Sequence, residues 1–240
     1  MPLYTEDGPD IKTLEHKLAE PVRLFYTMPA VHNPTGIAYS RDKKVWIVKK
    51  ARKRNFFIVE DDYLSEFHPD AGPRFVDLLP EKTIYVKSLS QTTVSGIRLG
   101  FMLVPADLYD KFLYAKYSSD IACAGILQKF VREFIKNGAY REYLKSIRTK
   151  ISERKDLLLS ILKRHPGLVL TGPQHGYSLW VEARQKPRLD NAPWHGGNEF
   201  SFSPAFRNCF RISYMCLDDL TFPPAVVYLG KLLSQAAETS

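Results

Sequence analysis

Four short segments of the chain carry residue types that could do chemistry. The first, His32-Asn33-Pro34-Thr35-Gly36, follows an apolar run. Proline fixes φ and glycine accepts positive φ, so these residues turn sharply. The turn leaves the Asn33 amide beyond a strand end, which is where ligands sit in open α/β sheets. The second, Glu60-Asp61-Asp62-Tyr63, ends another apolar run. Clustered carboxylates repel unless a cation or a protonated base lies between them; the alternative is that they cap a helix. The third is Ser88-Leu89-Ser90-Gln91, followed by Gly96-Ile97-Arg98-Leu99-Gly100. Two hydroxyls and an arginine beside small residues suit a phosphate monoester, because the guanidinium makes paired, charge-assisted hydrogen bonds. Taken alone, the same residues make a polar loop. The fourth, Asn208-Cys209-Phe210-Arg211-Ile212-Ser213-Tyr214, puts Arg211 inside an apolar strand. A buried arginine needs an anionic partner, either a carboxylate of the chain or one from a ligand.

These segments must be positioned by regular elements. Residues 23–27, 56–59, 83–86 and 97–104 read as strands, from their short apolar, β-branched and aromatic runs. Between the first two lies a basic helical pattern with Ser40 as its N-cap and Asn55 as its stop. Its cations, from Arg41 to Arg54, read as a solvated face opposite Val45, Ile47, Val48 and Ala51. Strand, helix, strand in this order predicts a parallel or mixed sheet covered by helices. Residues 106–136 read as mostly helical. Tyr140, Leu144, Ile147, Ile151, Leu158 and Ile161 then keep helical spacing, and Pro166-Gly167 ends that run. Residues 168–183 read as two strands with a turn at Gly172-Pro173, residues 210–215 as another strand, and residues 223–237 as a closing helix. The expected division is 1–138 for a large domain and 139–240 for a long connecting helix with a small α+β domain.

The chain has 240 residues, 45% of them apolar and 25% charged, enough to bury a core without staples. Its three cysteines, Cys123, Cys209 and Cys216, form no C-x-x-C pair, which argues against a disulfide framework or a structural zinc. The net charge of +8 is compatible with nucleic acid, but no helix-turn-helix or RNA-binding signature accompanies it, so no direct nucleic-acid contact is expected. No apolar stretch approaches the roughly 20 residues of a membrane span, and the first residues do not read as a signal peptide. A cytoplasmic location is the expectation.

In their order and spacing, the four segments resemble the fold-type I enzymes dependent on pyridoxal 5′-phosphate (PLP), the class I and II aminotransferases. The run Glu60-Asp61-Asp62-Tyr63-Leu64-Ser65-Glu66-Phe67, the opening Glu6-Asp7-Gly8, and Ile147-Arg148 with Glu153-Arg154-Lys155-Asp156-Leu157 resemble the aminotransferase-like effector domain of MocR/GntR-type transcription regulators. The resemblance covers essentially the whole chain. It implies the α/β fold-type I architecture. It further implies that Asn33 and Tyr63 reach the 3′-oxygen of PLP, that Asp61 pairs with the pyridine nitrogen and keeps the ring an electron sink, that Ser88, Ser90 and Arg98 hold the phosphate, and that Arg211 clamps an amino-acid carboxylate.

The chain departs from that pattern where it matters most for catalysis. The family's Schiff-base lysine follows S-x-S, and here that position is Gln91. An amide is not a nucleophile and cannot form the covalent link, and no base remains for the proton shift. Lys87 stands about 13 Å away along an extended chain and is not expected to substitute. The family's glycine-rich phosphate loop and ring-stacking aromatic, which would precede Met1, make the chain read as N-terminally truncated, with an open sheet edge prone to association. Residues 186–202 read as a short stretch in place of the family's helix and strand. The expectation is a non-catalytic domain binding PLP and an amino acid or amino-acid-like effector, as a homodimer or with a separate N-terminal segment. The alternatives are an aminotransferase in which Gln91 replaces a native lysine, and a degenerate fragment without cofactor.

Overall fold

The computed structural model describes residues 4–68, 70–170, 175–184, 195–201 and 204–238, the side chains of Ser95 and of residues 235–238 excepted. The chain divides into two compact units, Met1–His32 with Ile37–Lys145, and Asn33–Gly36 with Ser146–Ser240.

The first unit opens with a small hairpin of β1 (Tyr4–Thr5) and β2 (Gly8–Pro9) and a short helix α1 (Ile11–Lys17) capped by the Asp10 carboxylate. Its main sheet takes β3 (Leu24–Thr27), β4 (Phe57–Asp62), β5 (Thr83–Ser88) and β6 (Gly100–Leu103) in that spatial order. The first two pairings are parallel and the last is antiparallel. Parallel neighbours need a crossover, and helix α2 (Arg41–Arg54) supplies the one between β3 and β4. The Ser40 hydroxyl accepts from the Lys43 amide at its start, and Asn55 ends it in the left-handed conformation, φ 57°. Its Ile47, Val48 and Ala51 pack with Leu14, Leu18, Phe56, Ile58, Phe75 and Leu79 into one core. The basic face is not wholly solvated. Lys44 is only 1% exposed, because its ammonium donates to the carbonyls of Ala71 (2.6 Å) and Pro73 (3.0 Å). The short helix α3 (Phe75–Leu78) follows, and Glu60 caps it by accepting from the Phe75 and Val76 amides, both at 3.0 Å.

The other side of this sheet is open. Leu24 and Tyr26 on that face of β3 are 52% and 54% exposed, and on the edge strand β6 Met102 is 45% exposed on the same face while Phe101 and Leu103, on the opposite one, are close to half exposed too. The strand expected over residues 97–104 begins only at Gly100. A 3-10 turn, Ser95–Ile97, and a left-handed Arg98 (φ 49°) precede it. Gly100 itself cannot be exchanged, since a Cβ there would lie 2.6 Å from the Lys87 carbonyl oxygen. The helical stretch after it is two helices, α4 (Tyr109–Asp120) and α5 (Gly125–Lys136). Val131 of α5 packs with Leu89 and Ile97.

Helix α6 (Ala139–Leu162) begins in the first unit and continues in the second. The second unit's sheet is antiparallel throughout, in the order β7 (Leu168–Leu170), β8 (Ser178–Ala183), β10 (Cys209–Ser213), β9 (His195–Gly196). The turn expected at Gly172-Pro173 lies outside the described residues. The stretch read as short and Pro/Gly-bearing in place of a helix and strand, 186–202, contributes the edge strand β9, so part of it belongs to the sheet. Leu179, Val181, Phe210 and Ile212 meet Leu158 and Leu162 of α6 and Val226, Leu229 and Leu233 of the closing helix α7 (Phe222–Glu238).

Arg154 ties α6 to the segment leading into α7. It is 6% exposed and donates to the carbonyls of Tyr214 (3.0 Å) and Leu217 (2.7 Å) and to the Asp219 carboxylate (2.6 Å). Its guanidinium also lies 4.5 Å from the Phe222 ring centroid. Arg154→Ala leaves buried acceptors unmet and is expected to cost about 2–3 kcal/mol. Lys150→Ala, which breaks an exposed ion pair to the same Asp219, is expected to cost less than about 1 kcal/mol. Urea unfolding of the two variants tests this, and equal losses would refute the role given to the buried carbonyls.

Candidate functional site

Side chains alternate across a strand, and the register of the parallel strands sorts the candidate residues by face. Asp61 of β4 lies beside Val86 of β5, so Ser88, two residues beyond Val86, shares the open face with Asp61. Asp62 lies beside Lys87, and both belong to the covered face. All four stand at the C-terminal ends of parallel strands.

On the open face, the Asp61 Oδ2 accepts a hydrogen bond from the Tyr26 hydroxyl at 2.5 Å. Burial first, and then the bond to the Asp61 carboxylate, push the Tyr26 phenol well above its ordinary value, so it stays a donor. Tyr63 is half-buried just after the strand, near enough to add to that shift. Past β5 the chain turns at Ser90, Gln91 and Thr92. Ser90 is buried and its amide donates to the Ser88 Oγ at 3.3 Å. Gln91 and Arg98 are exposed. The left-handed backbone of Arg98 is uncommon for a residue with a long side chain and is typical of functional turns.

The covered face holds a polar network. Lys87, 5% exposed, pairs with Asp62 at 3.1 Å and Glu66 at 2.6 Å. The Tyr85 hydroxyl donates to Asp62 at 2.6 Å, and the Ser65 amide and hydroxyl do so at 3.0 and 2.7 Å. Burial alone would raise the Asp62 carboxyl, but Lys87, Tyr85 and Ser65 outweigh it and hold the group below its ordinary value. The Tyr140 hydroxyl of α6 bonds Glu66 at 3.2 Å and Thr92 at 3.0 Å, and the Tyr143 hydroxyl donates to the Thr93 carbonyl at 3.1 Å. The turn that carries Gln91 is thereby held from the covered side. The cation required by the carboxylate cluster is thus Lys87 for Asp62, while Asp61 keeps its Oδ1 without a hydrogen bond among the described residues.

The second unit brings together two residues 178 positions apart. The Arg211 Nη1 donates to the Asn33 Oδ1 at 2.8 Å. Arg211 faces away from the core, in register with Trp180 and His195, and its guanidinium lies 4.8 Å from the Phe200 ring centroid. Phe200 in turn stands edge-on to Trp180 at 5.8 Å. The Arg211 Nε is buried and has no hydrogen-bond partner, and no carboxylate of the described residues lies within ion-pair distance of the guanidinium. With its oxygen occupied, the Asn33 amide has its nitrogen left to donate. His32, beside it in sequence, stacks on Tyr4 at 4.1 Å, and burial pushes its imidazole down to about 4, so it is neutral near pH 7.

Spacing alone did not point to Tyr26 or Phe200. Tyr26 could have been found by pairing alternation on β3 with the parallel register. Phe200 lies in the short Pro/Gly-bearing stretch 186–202 and carried no local signal.

An open α/β sheet takes its ligands at the C-terminal ends of its parallel strands, and Asp61 and Ser88 stand there on the open face. A family model, aminotransferase class I and II, matches residues 1–220, and the chain belongs to that family. The uncharacterized HTH-type transcriptional regulator YcxD of Bacillus subtilis is 34% identical over 164 residues, which are 67% of this chain and 37% of that one. The probable rhizopine catabolism regulatory protein MocR of Rhizobium meliloti is 25% identical over 82% of this chain and 41% of its own length. The crystal structure of LysN from Thermus thermophilus, an alpha-aminoadipate aminotransferase complexed with N-(5′-phosphopyridoxyl)-L-leucine, superposes on all of this chain with a TM-score of 0.87 and 25% identity, over 66% of LysN. The fold is therefore that of the fold-type I PLP-dependent aminotransferases, and the matches span from about a third to two thirds of these relatives. No helix of the described residues is long and apolar enough to cross a membrane.

Proposed function

We propose that this chain is the aminotransferase-like, effector-binding part of a transcription regulator, and that it binds a PLP-type cofactor and an amino acid without transaminating. The relatives support the regulatory half of this reading, since YcxD is described as an uncharacterized HTH-type transcriptional regulator and MocR as a probable regulatory protein. The observation that carries the non-catalytic half is the placement of the lysine nearest to Gln91. Lys87 is on the covered face, held by Asp62 and Glu66, and Gln91 itself is an amide that cannot form a covalent link.

The residues present fit the cofactor. Asp61 has an unbonded Oδ1 for a protonated pyridine nitrogen, with Tyr26 steadying the other oxygen. Ser88, the Ser90 turn and Arg98 offer a hydroxyl, a tight backbone and a guanidinium for a phosphate. Bound there, the group would supply an electron sink; the chain would supply orientation only, with no amine or base at position 91. Tyr63, half-buried just past β4, is a donor for the ring 3′-oxygen. Arg211, with its orphaned Nε above Phe200, is the carboxylate clamp.

Equilibrium dialysis of the purified chain against the phosphorylated cofactor tests this reading, with Arg98→Ala as the control. The variant is expected to bind about 10–100-fold more weakly, the size of one or two charge-assisted hydrogen bonds. Transaminase assays of the same preparation are expected to show no turnover. No binding of any form of the cofactor, by a chain that circular dichroism shows to be folded, would leave the fragment reading.

A further inference from the structure

We propose that the basic face of helices α1 and α2 docks on the phosphate backbone of duplex DNA. This rests on the reading of the chain as part of a transcription regulator, and it gives that part a nucleic-acid surface of its own.

The excess charge of the chain is confined to one stretch. Residues 11–54 hold eleven Lys and Arg against three Asp and Glu, so their net charge equals the +8 of the whole chain. Four of the eleven are spent within the fold. Lys44 is buried on backbone carbonyls, while Lys43 pairs with Asp7, Lys50 with Glu15 and Arg52 with Glu81. The other seven are exposed and form no ion pair among the described residues.

Folding gathers these cations. Leu14 and Leu18 of α1 pack with Ile47, Val48 and Ala51 of α2. Lys43 meets Asp7 ahead of α1 and Lys50 meets Glu15 near its end, so the two helices run side by side in one direction. The Glu15 carboxyl is held below its ordinary value by Lys50 first, and by Arg54 and Lys53 as well, so the last turns of both helices lie together. The Phe57 amide donates to the Arg23 carbonyl at 3.0 Å, which brings Arg23 to the same end. Along α2, Arg41, Lys49 and Lys53 are separated by multiples of four and fall on one side. They span about 18 Å of helix axis, a length over which a duplex carries about ten charges. Cations in a last turn favour the helix dipole, which accounts for Lys53 and Arg54 but not for Arg41, Lys49 or Arg23.

The kind of partner follows from the rest of the surface. Among the described residues, none of the exposed large apolar side chains belongs to α1 or α2. A helix lying on lipid needs such a face, a protein interface needs aromatic or aliphatic anchors, and single-stranded nucleic acid is held on aromatic platforms. A duplex backbone is held by charge. Helix α2 ends just before β4 begins, so the patch and Asp61 stand at opposite ends of that strand, and a duplex on the patch leaves the candidate cofactor group free.

Fluorescence anisotropy of a labelled duplex of about 20 base pairs and arbitrary sequence, titrated with the full chain between about 50 and about 300 mM salt, tests the inference. Binding is expected to weaken steeply with salt. In the triple variant Lys49→Gln, Lys53→Gln, Arg54→Gln, the slope of log affinity against log salt is expected to shrink by about three, and the affinity at about 0.1 M salt to fall about tenfold or more. Lys49→Arg with Lys53→Arg keeps the charge and is expected to bind as the native chain does. Lys111→Gln with Lys129→Gln, exposed on α4 and α5, is expected to leave the slope unchanged. An unchanged slope in the triple variant overturns the inference. So does tighter binding to a single strand of the same length, or to vesicles of phosphatidylserine and phosphatidylcholine, than to the duplex. Absence of duplex binding by a chain that still takes up the cofactor in dialysis overturns this inference alone; a folded chain that binds neither overturns the cofactor reading as well.

Discussion

Lys87→Met is expected to lower the stability of the first unit by about 3–5 kcal/mol at neutral pH, the cost of leaving a buried charge without its partner. The side chain volumes are similar, so packing contributes little. What remains is Asp62, 2% exposed, with Tyr85 and Ser65 as donors but no cation. The pH dependence separates this from a simple packing defect. In the native chain the Asp62 carboxyl is held below its ordinary value, so its contribution is present above the unfolded value of about 3.9 and is lost as pH falls toward the folded one. In the variant, burial is opposed only by Tyr85 and Ser65, so the folded value rises and the contribution present at neutral pH shrinks. The two proteins should therefore converge on acidification. Urea unfolding followed by far-ultraviolet circular dichroism, at about pH 7 and about pH 4.5, reads the difference. A loss that is the same at both values, or below about 1 kcal/mol at neutral pH, would show that Lys87 is not the counter-ion of this network.

The same network shows what could and could not be read from the sequence. The strands over Phe57–Asp62 and Thr83–Ser88, the long helix and the caps at Ser40 and Asn55 follow local rules, and the structure has them within a few residues. The four motifs were legible as motifs because each is contiguous. Faces were only half legible. Alternation puts Asp61 and Asp62 on opposite sides of any strand, but which side Lys87 shares depends on the register between β4 and β5, which no single strand encodes. Lys44 misled for a related reason. On its helix it looks like one more surface cation, and it is buried because carbonyls 27 and 29 residues away accept hydrogen bonds from its ammonium. Arg98 shortened a strand that its apolar neighbours favour, because its left-handed backbone breaks the ladder before Gly100. The pairing of Asn33 with Arg211 has no local signature at all; two separate motifs had to fold before either could show what its partner was.

Arg211→Ala is expected to weaken the binding of an amino-acid effector by about two orders of magnitude or more, within the 2–5 kcal/mol lost when one partner of a desolvated, hydrogen-bonded charge pair is removed. The guanidinium has one nitrogen on Asn33 at 2.8 Å and a buried Nε with no partner, so a protein acceptor already orients the fork while part of it is unspent. A buried N–H left unmet is costly, and an incoming carboxylate would relieve that cost as well as supply charge. Arg211→Lys tests the fork itself. It keeps the cation but loses the planar pair of donors and the stacking over Phe200, so it should recover only part of the affinity. Calorimetric titration with a panel of amino acids and their decarboxylated amines provides the readout. The amines, which lack the group Arg211 is built to meet, should bind weakly to the native chain and equally weakly to both variants. If Arg211→Lys binds the amino acid as well as the native chain, charge alone suffices and the orphaned Nε is not part of the recognition. If Arg211→Ala does so, the carboxylate is held elsewhere and Arg211 serves only to fix the Asn33 turn.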